Sequence, residues 1–545
     1  MLSPALFFPF LVVPLVGASW PGNIPASAYA GSTVAATYPS PSATNTNIDS
    51  LFPPASQVGF AGPTPTGAEP DAIETAPSYP KVAGAYPLSR PKAADQPADL
   101  FDVMKHWANL SPMYSVESFG LSSASPITPK GCHINQVFLL VRHGARYPTS
   151  DSGAANFASN IHAAATNPGF NVTGPLEFLS TWTYKLGAEI LTPFGRQALF
   201  NIGVAFRYRY GELLNGITQL PVFRTTSEDR MVDSALNFAA GFFDVRTYEN
   251  DYHQEILIEA DNMNNTLAPY SVCPNSNIAD IGGLGSTQSN KWNNIYLQSA
   301  LLRLQPMITG YNLTISDLFN MQSLCAYEVV ALGSSQFCEL FTAEEWEGFE
   351  YANDLSFWYS DGPGNPTSAA LGLGYVQELV ARLTQTPITV WNSSTNSTLD
   401  SNNVTFPLYQ PIFVDASHDT VIANILTTLN FTTLAANGPL PTDHIPPNRS
   451  YIVSQMTPFA SNLVAQVMSC PASEDPTHIR FILNDGVIPL TGIKRCAEDS
   501  DGRCSLSSFI SGMQERIGEI DFYFSCYGNY TIPDPDNIID GRYPA

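Results

Sequence analysis

Ile134-Asn135-Gln136-Val137-Phe138-Leu139-Leu140-Val141 runs directly into Arg142-His143-Gly144-Ala145-Arg146-Tyr147-Pro148-Thr149. The first segment ends in consecutive apolar side chains with no polar face, as does a strand buried on both sides of a sheet. The second is polar, charged and punctuated by Gly and Pro, so the chain leaves the sheet there as a loop. A buried strand thus delivers one imidazole between two guanidinium groups. Guanidinium forks match phosphoryl oxygens bidentately. Flanking positive charge also depresses an imidazole pKa, which keeps the ring neutral and nucleophilic in acid. Gly144 reads as the residue that lets the backbone approach a ligand closely.

The order strand, loop, helix recurs along the chain. Thr192-Pro193 reads as an N-cap with Pro at the first helical position, followed by Phe194, Ala198, Leu199, Ile202 and Phe206 at helical spacing. A strand-like Val222 to Thr226 precedes an apolar helix over Met231 to Phe243, and Thr342 to Glu345 fits a capping box. Pro411 to Ala416 is again strand-like, and His418-Asp419 then opens a helix with Ile422, Ile425, Leu426 and Leu429 on one face. Asn484-Asp485-Gly486 supplies hairpin chemistry between two apolar runs. This alternation predicts an α/β fold with ligands at the carboxyl ends of the strands. The segment 250–385 reads mainly helical. The folded unit is therefore expected over 99–535, with its α/β core at about 99–150, 190–250 and 400–535 and a helical insertion at about 150–190 and 250–385.

Composition points outside the cell. The 545 residues carry 24 Lys plus Arg against 48 Asp plus Glu, a net charge of −24, which repels nucleic acid and anionic membrane alike. Charged residues are only 13%, about half the usual ~25%, so solubility leans on Ser, Thr, Asn and glycans. The apolar run Ala5 to Val16 followed by Gly17-Ala18-Ser19 reads as a signal peptide over 1–18. The stretch 19–98, rich in Pro, Ser, Ala and Thr with Lys81 as its first basic residue, reads as a disordered leader. Sequons begin at Asn109, Asn171, Asn264, Asn312, Asn392, Asn396, Asn403, Asn430, Asn448 and Asn529. Cys132, Cys273, Cys325, Cys338, Cys470, Cys496, Cys504 and Cys526 include no Cys-x-x-Cys pair, which favours disulfides over zinc.

The segment RHGARYPT resembles the signature of the histidine acid phosphatases, and specifically of their fungal phytase and acid phosphatase branch. LTPFGRQALFNIGVAFRYRY, FRTTSEDRMVDSALNFAAGFF, NTLAPYSVCPN and VDASHDTVIANIL resemble further family segments in family order. The resemblance implies a phosphoglycerate-mutase-like α/β sandwich with an inserted, mainly helical domain. It implies His143 as a nucleophile that becomes phosphohistidine and Arg142, Arg146 and Arg230 as ligands of the phosphoryl oxygens. Arg224 is the competing arginine, assigned to structural support. His418 is implied as a further phosphate ligand and Asp419 as the general acid. The implied disulfides are Cys132 with Cys470, Cys273 with Cys526, Cys325 with Cys338, and Cys496 with Cys504. No cofactor or metal, no obligate protein partner, and no nucleic acid or membrane is implied. The expected substrates are small phosphate monoesters, phytate included. A phosphoglycerate-mutase-like phosphotransferase and an inactive wall-associated glycoprotein stand as the alternatives. The absence of Lys and Arg between Tyr147 and Tyr184 argues against a dedicated basic subsite, unless Lys291, Arg303 or Lys494 folds over the cleft.

Overall fold

The computed structural model describes residues 86–150, 152–473 and 475–544; the signal-like segment and residues 19–85 of the leader lie outside them. One mixed sheet contains β1 (His133–Arg142), β2 (Val222–Thr226), β3 (His253–Leu257), β4 (Ile412–Ser417), β5 (Asn462–Ser469), β6 (Thr477–Leu483), β7 (Gly486–Ile488) and β8 (Cys504–Ser505). Their order is β8-β6-β5-β1-β4-β2-β3, with β7 on β6. The pairs β1/β4, β4/β2 and β2/β3 are parallel, and the others are antiparallel. Asn484 and Asp485 make the β6–β7 turn in the left-handed region, at φ 45° and 70°, as a two-residue hairpin turn requires.

The unbroken apolar run of β1 has a simple cause. Val137, Leu139 and Val141 face one core while Phe138 and Leu140 face another. The first core is closed by α2 (Pro193–Tyr210) and α3 (Asp229–Phe242), through Leu199, Phe206, Met231 and Phe238. The second is closed by α7 (Ser368–Thr384), α8 (Asp419–Thr428) and α9 (Leu506–Gly518), through Val376, Leu379, Ile422, Ile425 and Phe509. A third core joins α1 (Gly153–Thr166), α4 (Gln298–Leu304), α5 (Ile315–Leu332) and the start of α6 (Ala343–Ser360). Helix α6 opens with the expected capping box at Thr342 and Glu345. It carries Trp346 and Phe349 into the helical core and Tyr351, Leu355 and Trp358 into the sheet core, so it has no polar stripe.

Three boundaries differ from the sequence expectation. The segment 250–385 is not all insertion, because β3 is an edge strand of the main sheet and α7 covers that sheet's face. The chain is also packed before Asp99: Leu88 and Ala93 are buried in the helical core, and Ser89 N and Ala94 N donate to Gly333 O and Phe341 O at 2.8 and 2.7 Å. Packing likewise continues beyond 535, where Ile538 is buried and Gly541 N donates to Pro363 O. In both places main-chain hydrogen bonds and a few small side chains do the anchoring, which composition does not register. Four disulfides join Cys132–Cys470, Cys273–Cys526, Cys325–Cys338 and Cys496–Cys504, the pairs that the resemblance implies. No helix among the described residues is long and apolar enough to cross a membrane.

Beneath the sheet edge lies a buried charge network. Arg224 on β2 donates to Asp415 on β4 at 2.7 and 3.1 Å and to Glu378 on α7 at 2.6 Å, and Arg382 pairs with Asp415 at 2.8 Å. Burial pushes the Asp415 carboxyl up, but Arg224 and Arg382 more than reverse this and bring it to about 2. Burial pushes Asp361 up to about 8, with Asp419 adding to the rise, and burial pushes Glu255 up to about 7. The depressed Asp415 stabilises the fold above the unfolded value of ~3.9 and loses that contribution as pH falls through about 2. The raised Asp361 and Glu255 cost nothing below their unfolded values and cost progressively more as pH rises towards about 8 and 7. Thermal unfolding followed across this range should therefore give a Tm maximum at about pH 4 to 5 and a decline towards neutrality. A Tm that rises from acid to neutral pH contradicts this assignment.

Candidate active site

The four parallel strands end at one edge of the sheet. Arg142 pairs in register with Ser417 and Arg224 with Asp415, so the loops that follow β1, β4 and β2 emerge side by side. They deliver Arg142, His143 and Arg146 from β1, His418 and Asp419 from β4, Glu228 and Arg230 from β2, and Glu259 from β3.

The turn after β1 is fixed by contact with α2. Thr192 caps that helix, accepting from Gly195 N at 3.1 Å, and its own N–H donates to Ala145 O at 2.9 Å. A Cβ on Gly144 would sit 2.3 Å from Gly195 O, and one on Gly195 would sit 2.0 Å from Ala145 O. Gly144 is therefore required by backbone packing on α2, where the sequence reading gave it to ligand approach.

His143 is buried, and its Nδ1 lies 2.8 Å from Gly144 O. A carbonyl only accepts, so Nδ1 carries the proton and Nε2 holds the lone pair. The ring is held well below the ordinary histidine value, first by burial and then by Arg142, Arg146, His418 and Arg230. Flanking charge, the cause expected from the sequence, comes second to burial. The His418 ring is 5.9 Å from His143, centroid to centroid.

Arg142 is fully buried, donates to Asn109 O and to Thr457 O, lies 4.6 Å from the Phe459 ring centroid and pairs with Asp419 Oδ2 at 2.7 Å. Arg230 pairs with Glu189 at 3.0 Å and with Glu228. His418 Nε2 pairs with Glu259 at 3.0 Å and lies 3.9 Å from Glu228. Despite these partners, Arg142, Arg146 and Arg230 each keep a buried Nε–H with no hydrogen bond. Of the two arginines of that segment, Arg224 lies in the Asp415 network, and Arg230 is the one whose charge reaches Arg142 and His143.

Four neighbours were not read from the sequence. Asn109 donates to Asp419 Oδ2 at 2.8 Å. Its amide nitrogen, the atom a glycan would take, is thereby placed inside the pocket, and the first sequon has a structural use. Glu259, two residues beyond β3, holds His418 and accepts from the Tyr270 hydroxyl. Glu189 and Glu228 hold Arg230. The only signal for the glutamates is their place just before or after a strand or helix end. Among the described residues, Glu228, Glu259 and His418 are a group whose donor atoms lie within 4.8 Å of one another, close enough to chelate an ion. Within it Glu259 and His418 are paired with each other, and Glu228 is paired with Arg230.

Residues 133–484 match the model of the histidine phosphatase superfamily (branch 2). The chain belongs to that superfamily. It is 34% identical over 454 residues to Phytase A of Aspergillus awamori, covering 79% of this chain and 93% of that one. Against Phytase A of Aspergillus fumigatus the identity is 34% over 426 residues, covering 75% and 87%. The crystal structure of the phytase from D. castellii superposes with a TM-score of 0.63 at 24% identity, over 79% of this chain and 89% of that one, and shows the same fold. The chain is accordingly a phosphoric monoester hydrolase of the histidine acid phosphatase type.

Replacing the two arginines separates site from scaffold. Arg230→Ala should lower kcat/KM on a small phosphate ester by about a hundredfold with little change in Tm. Arg224→Ala leaves Asp415 and Glu378 buried without their main partner and should cost about 3 kcal/mol or more of stability. Kinetics beside thermal unfolding check both, and a reversed pattern contradicts the assignment.

Proposed function

We propose that this chain is a secreted acid phosphatase that hydrolyses phosphate monoesters, phytate among them, in two steps through phosphohistidine at His143. The observation that carries the reading is the buried His143 ring, its Nδ1 tied to Gly144 O and its Nε2 left free beside three guanidinium groups with unbonded N–H donors. A phosphoryl group seated there satisfies the donors with its oxygens and presents phosphorus to the lone pair.

In the first step His143 Nε2 attacks phosphorus, the N–P bond forms and the P–O bond to the leaving alcohol breaks. Asp419 gives the proton that the departing alkoxide needs. In the free protein that carboxyl is held below its ordinary value: burial raises it, but Arg142, the Asn109 amide, Arg146 and His418 outweigh burial. Substrate reverses the balance. Phosphoryl oxygens compete for Arg142 and bring negative charge beside the carboxylate, and both changes raise its proton affinity. A phosphate monoester below its second pKa of about 6 carries a proton of its own, which Asp419 receives and passes to the alkoxide. In the second step water attacks the phosphohistidine, Asp419 takes the water proton, and phosphate leaves with His143 restored. The signal-like start, the sequons and the disulfide set support a secretory route.

Two variants test the roles. His143→Ala should abolish both turnover and the trapped covalent phosphate. Asp419→Asn should cost alkyl phosphates about a thousandfold in kcat and aryl phosphates, whose leaving groups need little protonation, about tenfold. Single-turnover kinetics on one ester of each kind measure this, and equal losses on the two rule out Asp419 as the acid.

A further inference from the structure

The pocket that collects three guanidinium groups also collects carboxylates in equal strength. Arg142 is paired with Asp419, His418 with Glu259, and Arg230 with both Glu189 and Glu228. Asp419 and Glu259 belong to the chemistry, one as proton donor and the other as the anchor of His418. Glu189 and Glu228 do neither. Their side chains are 40% and 37% exposed against 12% for Arg230, so they stand at the mouth of the pocket with the guanidinium behind them. Glu189 approaches from the turn before α2, where Ser150 N and Oγ donate to its other oxygen, and its field also reaches Arg146. Glu228 precedes α3 and lies between Arg230 and His418.

We infer that Glu228, with Glu189 beside it, is a specificity determinant that ranks singly phosphorylated esters with neutral or cationic leaving groups ahead of polyphosphorylated substrates such as phytate. The inference rests on the phosphatase reading and deepens it. Around Arg230 the charged groups are Arg142 and Arg146 from β1, Glu189 before α2, Glu228 before α3, Glu259 after β3, and His418 and Asp419 at α8. Three guanidinium groups and one imidazole thus face four carboxylates. One phosphoryl group engages the unbonded donors of the arginines, and no cation is left over for a second. Any further phosphate on the leaving group passes the mouth where the two half-buried carboxylates stand. The three basic residues that the sequence offered for a second subsite are engaged elsewhere: Lys291 donates to Gln288, Arg303 holds Leu340 O and Glu345, and Lys494 pairs with Glu515 and Glu519.

The test compares Glu228→Gln, Glu189→Gln and the double variant with the natural chain at about pH 5 and low ionic strength, where screening is weak. Substrates are phenyl phosphate, phosphoethanolamine and phytate, each read as kcat/KM. The natural chain should favour phenyl phosphate and phosphoethanolamine over phytate. Glu228→Gln should raise the phytate to phenyl phosphate ratio about tenfold, Glu189→Gln somewhat less, and the double variant more, chiefly through KM. The phosphoethanolamine to phenyl phosphate ratio should fall in the same variants. Ratios unchanged within about twofold overturn the inference. Equal loss on all three substrates also overturns it, since the carboxylates would then only position Arg230. Failure of the natural chain to hydrolyse even phenyl phosphate would instead reject the phosphatase reading itself.

Discussion

Three guanidinium groups and two imidazoles are gathered at the end of one sheet, largely out of water, and that concentration of positive charge is the constraint to which the surrounding chain answers. Burying a lone cation costs several kcal/mol even after relaxation. The protein meets the cost with carboxylates from every neighbouring element: Asp419 for Arg142, Glu189 and Glu228 for Arg230, Glu259 for His418. Arg146 shares the fields of Asp419 and Glu189, whereas His143 has no acidic partner among the described residues. Its ring accepts burial by remaining neutral, and the same absence leaves Nε2 available for bonding to phosphorus.

Such a pocket needs a rigid frame, because the like charges within it repel. Parallel pairing of β1, β4 and β2 brings the three loops to one edge. The Arg224–Asp415–Arg382 network ties β2, β4 and α7 together just below. Above, the close backbone contact of Gly144 with Gly195 seats the β1 loop on α2. Asp415 keeps its charge to about pH 2, so the frame holds under the acid conditions that the proposed chemistry uses. Frame and site are thereby matched to the same pH range.

The strands and the charged loops were legible in the sequence because each is a local pattern. The apolar run before Arg142, the capped helix at Thr192 and the Asn484-Asp485 turn depend on residues a few positions apart. What escaped depends on pairs far apart in the chain. Asn109 meets Asp419 across 310 positions, and Glu259 meets His418 across 159. No spacing rule connects them. The β3 sequence HQEIL is polar for a strand because it lies at the sheet edge, which hid it inside an apparently helical stretch. The glycines Gly372 and Gly374 lie on α7, where a Cβ at Gly372 would meet Thr428 Oγ1 of α8 at 2.2 Å. Local reading ranks glycines by motif, whereas packing decides their use.

The proposed chemistry requires a neutral His143 in acid, with its proton on Nδ1. Nitrogen NMR of the chain labelled at its histidine rings, recorded from about pH 7 down to about pH 3, reports that state directly. One ring should keep the Nδ1–H form well below the ordinary histidine value, and that signal should vanish in His143→Ala. Protonation of the His143 ring near the ordinary value of about 6.5 would contradict the claim that burial and the arginines keep the nucleophile free.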